Sequence, residues 1–360
     1  MSTLYIVSNG GKLVKKGEVL QLKKDNDILN TIFPFKTDLL FIIGRIEITS
    51  AAIKFLMKHK IETVFLSKNG KFNGKIDFQT GKNIFLRMKQ YELTKDPDFK
   101  IGMAKSIVAA KLRNQLSFMQ RIGRKSFNKG DIKDSISRMK QNIQKAEAAT
   151  NTDSLRGYEG MGARLYFSVF KKAITIPWAV FNGRSMHPPR DNVNAVLSLL
   201  YTFILFRVDA AVESEGLDSY AGFFHRIDYG KKSLIFDLME EYRTPIADTL
   251  TAALFNLGIL KEEHFREEIF SRKSDDFPLS EGEERHEENF SIPPEKRGVL
   301  LTKDGIREVI TQFERKLNDS IYHGPMLKEL TYKQLIFEQV KHFKRVISGQ
   351  ESEYKPLRIK

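Results

Sequence analysis

Short apolar runs separated by glycine-containing turns fill the first 85 residues. Runs such as TLYIVS, LLFIIGRIEIT and IETVFLS are rich in β-branched and aromatic residues, which favour strands. Asn9-Gly10-Gly11 and Lys68-Asn69-Gly70-Lys71 lie between such runs and predict hairpin turns. One helix is expected after Thr49 or Ser50, either of which can cap it, because apolar residues recur at helical spacing there. Residues 1–85 are therefore predicted to form a small β-rich domain of two packed sheets.

The hydrophobic period becomes helical beyond residue 85. The segments 99–121, 126–149 and 155–170 each place apolar residues on one face, which predicts three long helices. Ala195–Phe206 is apolar and too short to span a bilayer, so it predicts a buried helix that Asp191 can cap. A short strand at Gly298–Leu301 and a final helical pair, Ile306–Leu317 and Lys328–Ile347, complete the pattern.

The predicted fold class is α+β: a small β-rich N-terminal domain followed by a larger all-helical C-terminal domain. The helical domain is placed at 86–348, and a flexible tail at 349–360, since chain ends are poorly ordered unless tied down. Residues 271–297 carry 8 acidic and 5 basic residues and few apolar ones. That composition predicts a surface excursion.

Composition and charge narrow the function classes. The chain has no cysteine, which excludes disulfides, zinc–thiolate sites, iron–sulfur clusters and thiol catalysis. Its formal net charge is +14, with the excess concentrated in residues 1–90 (16 basic, 7 acidic) and 101–150 (11 basic, 3 acidic). Such clustering favours a polyanion as partner. The N-terminus lacks the features of a signal peptide, so a cytoplasmic protein without membrane association is expected.

The stretch Gly216–Pro245 combines a histidine with a helix that carries acids. His225 follows an apolar lead-in, and Asp237 and Glu240 are three residues apart, so they share a helix face. An imidazole close to such carboxylates is a plausible nitrogen–oxygen metal site. Alternatively, the acids form a solvated helix face and the histidine belongs to the core. The spacing alone leaves both interpretations open.

Glu159 stands among three glycines, in the sequence RGYEGMG. Glycines weaken a helix by roughly 1 kcal/mol each relative to alanine, but they let a phosphate or another backbone approach closely. The alternative is an acid in the first turn of a helix, where the helix dipole favours negative charge.

Taken in order, these segments resemble a known family over nearly the whole chain. It is the family of CRISPR-associated spacer-acquisition endonucleases and integrases, the first of the numbered Cas proteins. The resemblance implies a β-rich dimerisation domain over 1–85, a helical catalytic domain over 86–348, a homodimer, and the small second CRISPR-associated protein as a partner. The segments that carry it are GRIEITSAAIKFL, FLRMKQY with AKSIVAAKLRNQ, RGYEG, FNGRSMHPPRDNVNAVLSLLYT and GLDSYAGFFHRIDYGKKSLIFDLMEEYRTPIAD.

Carried onto this sequence, the resemblance implies a metal site of Glu159, His225 and Glu240, with Asp237 close to it. Such a donor set without sulfur suits Mg²⁺ or Mn²⁺. Replacing Asp237 is expected to harm less than replacing a ligand, and alanine at Glu241 or His187 is expected to be nearly silent. Candidates for binding DNA are Lys231 and Lys232 at the scissile phosphate, and Arg87, Lys105, Lys111, Arg113 and Arg184 along the backbone.

The implied activity is insertion of short DNA spacers into a CRISPR array, in which a 3′-hydroxyl attacks repeat DNA by transesterification. With water as the nucleophile, the same site is a DNA endonuclease. One alternative is a non-catalytic nucleic-acid scaffold of the same fold. Another is an unrelated metal phosphohydrolase acting on small molecules, which has no need of so basic a surface.

Overall fold

The chain folds into two compact units, each assembled from several stretches of sequence. In the computed structural model, unit 1 contains Met1–Gln79, Ser185–Ala195 and Lys261–Thr311, and unit 2 contains Thr80–Arg184, Val196–Leu260 and Gln312–Lys360. The structure describes residues 2–25, 27–76, 83–125, 129–185, 188–270 and 296–359.

Two four-stranded sheets occupy the N-terminal part of unit 1. One has the strand order β1-β5-β7-β8, with the first three strands parallel, and the other has the order β4-β3-β2-β6. Of the two capping candidates, Thr49 caps the first helix: its side chain accepts a hydrogen bond from the Ala52 N–H. The elements are β1 (Thr3–Val7), β2 (Lys12–Lys16), β3 (Val19–Lys24), β4 (Asp27–Ile32), β5 (Leu39–Ile43), β6 (Glu47–Ile48), α1 (Ser50–Lys58), β7 (Glu62–Leu66) and β8 (Phe72–Ile76).

A buried apolar cluster joins the two sheets and α1. Leu13 and Leu20 from one sheet, Leu40 and Ile42 from the other, and Phe55 from α1 belong to it. Alternation along β2 and β3 places these apolar side chains on one face, because successive strand residues point to opposite sides. The predicted β-rich N-terminal region is thus confirmed.

Unit 2 is mostly helical, and its long helix α3 lies in the middle. Helix α3 packs against α4, α5 and α7. The helices are α2 (Ile84–Lys95), α3 (Pro97–Lys125), α4 (Lys129–Ala148), α5 (Thr152–Phe170), α6 (Asn192–Ser214), α7 (Ser233–Tyr242), α8 (Thr249–Asn256), α9 (Lys303–Leu317) and α10 (Tyr332–Ile347), of which α6 and α9 begin in unit 1.

Helix α6 contains the predicted apolar run and is longer than that run. Its 23 residues and hydropathy would allow it to cross a membrane, but 83% of its apolar window is buried inside the protein. Asp191 Oδ1 accepts a hydrogen bond from the Asn194 N–H, which confirms the predicted cap. The helix is a core helix of this fold.

Two hairpins correct the prediction of an all-helical C-terminal region. Strands β9 (Phe265–Phe270) and β10 (Lys296–Leu301) pair antiparallel within unit 1, and β11 (Ser320–His323) pairs with β12 (Lys328–Thr331) in unit 2. Of the first hairpin, the sequence predicted only the second strand, at Gly298–Leu301. Most of the acidic stretch 271–297 lies outside the described residues.

The end of the chain also departs from its prediction. Tyr354 and Leu357 are 4% and 1% exposed, so the segment expected to be a flexible tail is packed within unit 2. Its aromatic and leucine side chains supply the apolar contacts that a mobile end lacks.

Candidate active site

A buried aspartate organises the turn that carries His225. Asp237, on α7, accepts hydrogen bonds from the backbone N–H groups of Phe223 (2.6 Å), Phe224 (3.0 Å) and His225 (2.8 Å). The turn passes so close to α7 that a Cβ on Gly222 would lie 2.8 Å from Asp237 Oδ2. Three donors converging on one carboxylate fix the backbone from which the imidazole projects.

The same carboxylate orients the His225 ring. Asp237 Oδ1 lies 2.7 Å from His225 Nδ1, so this ring nitrogen donates to the aspartate and Nε2 faces the opposite way. Nε2 lies 3.8 Å from Glu240 Oε1, one helical turn further along α7. A histidine held by a carboxylate through one nitrogen, with the other free to bind, is the usual arrangement of a metal-ligating imidazole.

The acids of α7 are buried, which excludes the interpretation of a solvated helix face. Asp237, Glu240 and Glu241 are each at most 3% exposed. Glu241 points away from His225 and accepts hydrogen bonds from Tyr354, Gln339 and Leu357. The structure changes the expectation for Glu241→Ala, because this replacement would take their acceptor from the buried Tyr354 hydroxyl and Leu357 N–H and remove one of the two acceptors of Gln339 Nε2.

Lys111 lies between Glu159 and Glu240 and pairs with both. Lys111, on α3, places its ammonium 2.5 Å from Glu159 Oε1 and 2.8 Å from Glu240 Oε2. Burial would lower the pKa of this ammonium, but the two carboxylates outweigh burial and raise the pKa above the usual lysine value. Burial would likewise raise the pKa of Glu159, but the Lys111 charge outweighs it and lowers that pKa. Both groups are therefore charged at neutral pH.

Arg243 adds a second positive charge beside Glu240. Its Nε lies 3.3 Å from Glu240 Oε2, and its guanidinium stacks over the Tyr201 ring at 4.8 Å. Arg243 begins a π-helical turn, Arg243–Asp248, which directly follows α7. Such wide turns occur often at functional sites.

The donor set suits a hard divalent ion. Glu159, His225 and Glu240 offer one imidazole nitrogen and carboxylate oxygens, a mixture that binds Mg²⁺ or Mn²⁺. Glu240 Oε2 is contacted by Lys111 at 2.8 Å and by Arg243 at 3.3 Å, whereas its Oε1 lies 3.8 Å from His225 Nε2. Oε1 is therefore the Glu240 oxygen on the side of the imidazole.

The DNA-binding candidates fall into two groups. Lys111, Arg113 and Lys232 are paired with acids: Lys111 as above, Arg113 with Glu147, and Lys232 with Asp209 (2.5 Å) and Glu213 (3.5 Å). Lys105 and Lys231 are half-buried, Arg87 Nε donates to the Gly216 carbonyl, and Arg184 donates to Ser198. His187 lies outside the described residues.

Sequence reasoning missed the positions of Lys111 and Arg243. Lys111 is seven residues after Ala104 and three after Val108, both buried on α3, so helical spacing could have placed it on the inner face. Arg243 follows Glu240 by three residues on the helix that the sequence had already identified. The spacing along a helix does not show, by itself, which residues of other helices Lys111 or Arg243 contacts.

The fold and the site define an α+β protein whose mostly helical unit holds a buried histidine–carboxylate site. This chain belongs to the Cas1 family: the family described as CRISPR associated protein Cas1 matches residues 4–270. The family predicted from the sequence is thereby confirmed.

Individual relatives extend the match over the full length. The chain is 28% identical over 362 residues to a protein of Thermus thermophilus named CRISPR-associated endonuclease Cas1 3, covering 100% of this chain and 98% of the relative. A chain of a Cas6-RT-Cas1–Cas2 complex superposes with a TM-score of 0.81 at 23% identity, covering 100% of this chain and 36% of that one. A casposase bound to its integration product gives a TM-score of 0.77 at 22% identity, covering 100% and 95%. At these identities the two structures show the fold alone.

Proposed function

We propose that the protein is a metal-dependent DNA endonuclease and integrase that inserts short DNA spacers into a CRISPR array. The observation that carries this proposal is that Lys111 joins Glu159 to Glu240, although they come from segments far apart in the sequence, and that Glu240 Oε1 lies 3.8 Å from His225 Nε2. Membership of a family whose relatives are named endonucleases supports the same conclusion. The test is Mn²⁺-dependent cleavage and strand joining with a branched duplex.

In the proposed reaction, a 3′-hydroxyl attacks a phosphodiester of the repeat DNA. The new P–O bond forms as the bond from phosphorus to the leaving 3′-oxygen of the repeat breaks, and the proton that the attacking hydroxyl loses is balanced by one that the leaving oxygen takes up. With water as the nucleophile, the same exchange is hydrolysis. A bound Mg²⁺ or Mn²⁺ supplies Lewis-acid stabilisation of the charge that develops on the phosphoryl oxygens. Glu159, His225 and Glu240 would hold the ion.

Other residues of the chain prepare these ligands. Asp237 keeps the His225 ring turned with Nε2 toward Glu240, 3.8 Å away. Arg243 and Lys111 offset the negative charge of the buried carboxylates. Lys231, half-buried in the loop before α7, is proposed to contact the DNA backbone, whereas Lys232 already pairs with Asp209 and Glu213.

A non-catalytic scaffold of the same fold is the second candidate. It would retain the basic surface and bind DNA, but it would not cleave branched DNA in Mn²⁺. A small-molecule phosphohydrolase is disfavoured by the net charge of +14. Because the protein acts on DNA in this proposal, we place it in the cytoplasm.

The proposal includes a homodimer. Ile28, Leu29 and Phe35 are exposed on and just after β4, which lies at one end of its sheet. We expect sedimentation at micromolar concentration to give a species of twice 41.5 kDa. Phe35→Glu should shift it toward the monomer, whereas Leu257→Glu, at an exposed leucine in unit 2, should not. A monomer for the parent protein would contradict the proposal.

We further propose that the dimer assembles with the small second CRISPR-associated protein. The structural neighbour from a Cas6-RT-Cas1–Cas2 complex has a fold similar to this chain and supports that partner. Co-purification of the two proteins at moderate salt tests this assembly.

Lys111 provides a test of metal binding that does not depend on turnover. In Lys111→Met, the ammonium no longer competes for the oxygens of Glu159 and Glu240, but two buried carboxylates lose their counterion. Removing one partner of a buried pair costs about 3–5 kcal/mol. We expect a lower melting temperature without metal and a larger rise on adding Mn²⁺ than in the parent.

Lys105→Met is the matched control for this variant, because it removes the same charge from the same helix at a half-buried position. It should melt and respond to Mn²⁺ like the parent. An unchanged response of Lys111→Met would show that its ammonium and the ion do not share a site.

A further inference from the structure

The last residues of the chain form a strap, residues 351–359, that lies against the helices of the candidate site. Tyr354 and Leu357 are its buried anchors. The Tyr354 ring packs edge-on against Phe343 of α10, with 5.4 Å between ring centroids. His342, also on α10, lies 3.1 Å from the Glu353 carbonyl and 2.8 Å from the Glu351 carboxylate. The strap is therefore a fixed part of unit 2.

Glu241 ties the strap to α7. Its Oε1 accepts a hydrogen bond from the Tyr354 hydroxyl at 2.6 Å. Its Oε2 accepts from Gln339 at 2.9 Å and from the Leu357 N–H. All three donors are buried, and Glu241 directly follows Glu240, so the position of the strap and the position of Glu240 are set by neighbouring residues of one helix.

Asn114 ties the strap to α3. Its Nδ2 donates to the Leu357 carbonyl at 3.0 Å and to the Glu241 carbonyl at 3.2 Å, and its Oδ1 accepts from the Ile359 N–H at 2.9 Å. One carboxamide thus joins α3, α7 and the strap. Asn114 lies three residues after Lys111, about one helical turn along the same helix.

We propose that the strap is a positioning element of the candidate active site: through Asn114 and Glu241 it fixes α7 against α3, and so sets the separation of Glu240 from Lys111. Neither Asn114 nor Glu241 touches the proposed ion, so both are positioning residues. The inference rests on the proposed function for its consequence in metal binding, while the contacts of the strap are independent of that function.

Two variants of Glu241 separate positioning from packing. Glu241→Gln keeps one oxygen for the Gln339 and Leu357 donors, and its NH₂ can donate to the Tyr354 hydroxyl, which is able to accept. Glu241→Leu has similar size and offers no acceptor. A third variant ends the chain at Gln350, and Lys355→Ala is the control within the strap, since the Lys355 side chain is exposed and only its carbonyl is used.

Three measurements are made on each full-length or shortened protein: Mn²⁺ affinity by EPR titration, single-turnover cleavage of a branched duplex, and hydrogen exchange of the peptide covering α7 without metal. Supporting groups around a metal site typically contribute 10–100-fold in affinity or activity. We expect Glu241→Leu and the shortened chain to lose about tenfold or more in Mn²⁺ affinity and in the cleavage rate. Hydrogen exchange in α7 should be faster, and DNA affinity should not change. Glu241→Gln and Lys355→Ala should remain close to the parent.

Parent-like Mn²⁺ affinity, cleavage and α7 exchange in the folded Glu241→Leu protein would overturn the proposal. If the shortened chain does not fold, the Glu241→Leu and Glu241→Gln pair gives the answer alone. If the parent neither binds Mn²⁺ nor cleaves, the proposed function fails. Hydrogen exchange then tests the strap alone: faster exchange of α7 in Glu241→Leu supports its positioning role, and unchanged exchange refutes that role.

Discussion

Alanine at Glu159, His225 or Glu240 is expected to lower the rate of Mn²⁺-dependent cleavage by about 10³-fold or more. These side chains would hold the ion that offsets charge in the transition state, a contribution worth several kcal/mol. DNA affinity should barely change, because the basic surface remains. Cleavage and binding of one branched duplex, measured in parallel, test whether these residues act in catalysis and not in DNA binding.

Asp153→Ala is the matched control for Glu159→Ala. Asp153 lies at the start of the same helix, and its side chain is 79% exposed and paired with Arg156. Its replacement should leave cleavage within a few-fold of the parent. A His225→Ala protein that folds and cleaves at the parent rate would show that the metal site is elsewhere.

The structure changes the expectation for Asp237. Sequence reasoning placed it beside the site and predicted a milder effect than for a ligand. In the fold, Asp237→Ala removes the acceptor of three backbone N–H groups, two of them buried, and of the imidazole, at a cost of about 1–3 kcal/mol for each buried group left unsatisfied. We now expect a loss of cleavage as large as for His225→Ala, together with a lower melting temperature.

DNA affinity is expected to fall by about 10³–10⁵ between 50 and 200 mM salt, if the protein neutralises roughly 6–10 phosphates. The physical cause is the release of counterions from DNA when lysines and arginines replace them. The excess of positive charge in residues 1–90 and 101–150 motivates this prediction. Titration of a fluorescent duplex at several salt concentrations measures the slope.

Arg113→Gln serves as the control in this titration. The Arg113 guanidinium already pairs with Glu147, so its removal should leave the salt dependence nearly unchanged. A flat salt profile for the parent would refute the argument from the basic surface.

The local parts of the site could be predicted from the sequence. The spacing of Asp237 and Glu240 puts both on one face of α7, since residues three apart on a helix are neighbours. The approach of Glu159 to Glu240 is different, because 81 positions separate them in the sequence and no periodicity reports such a contact. Here the resemblance to the family, and not the pattern, supplied the connection.

The strap shows why the end of the chain was mispredicted. Its sequence, ESEYKPLRI, is polar overall and has no helical or strand period. What orders it is a set of acceptors and donors on α3, α7 and α10, chiefly Asn114, Glu241 and Gln339. Such partners are distant in sequence, so composition predicts mobility where tertiary hydrogen bonds impose order.

The discontinuity of unit 1 has a consequence for biosynthesis. Its two N-terminal sheets are made first, but Ser185–Ala195 and Lys261–Thr311 complete it, and Val299 of β10 donates to the Pro189 carbonyl. During translation, at about 5–20 residues per second, the ribosome therefore releases the sheets many seconds before the segments that finish the unit. Until residue 311 has emerged, the surface of the N-terminal sheets that these later segments cover stays exposed to solvent.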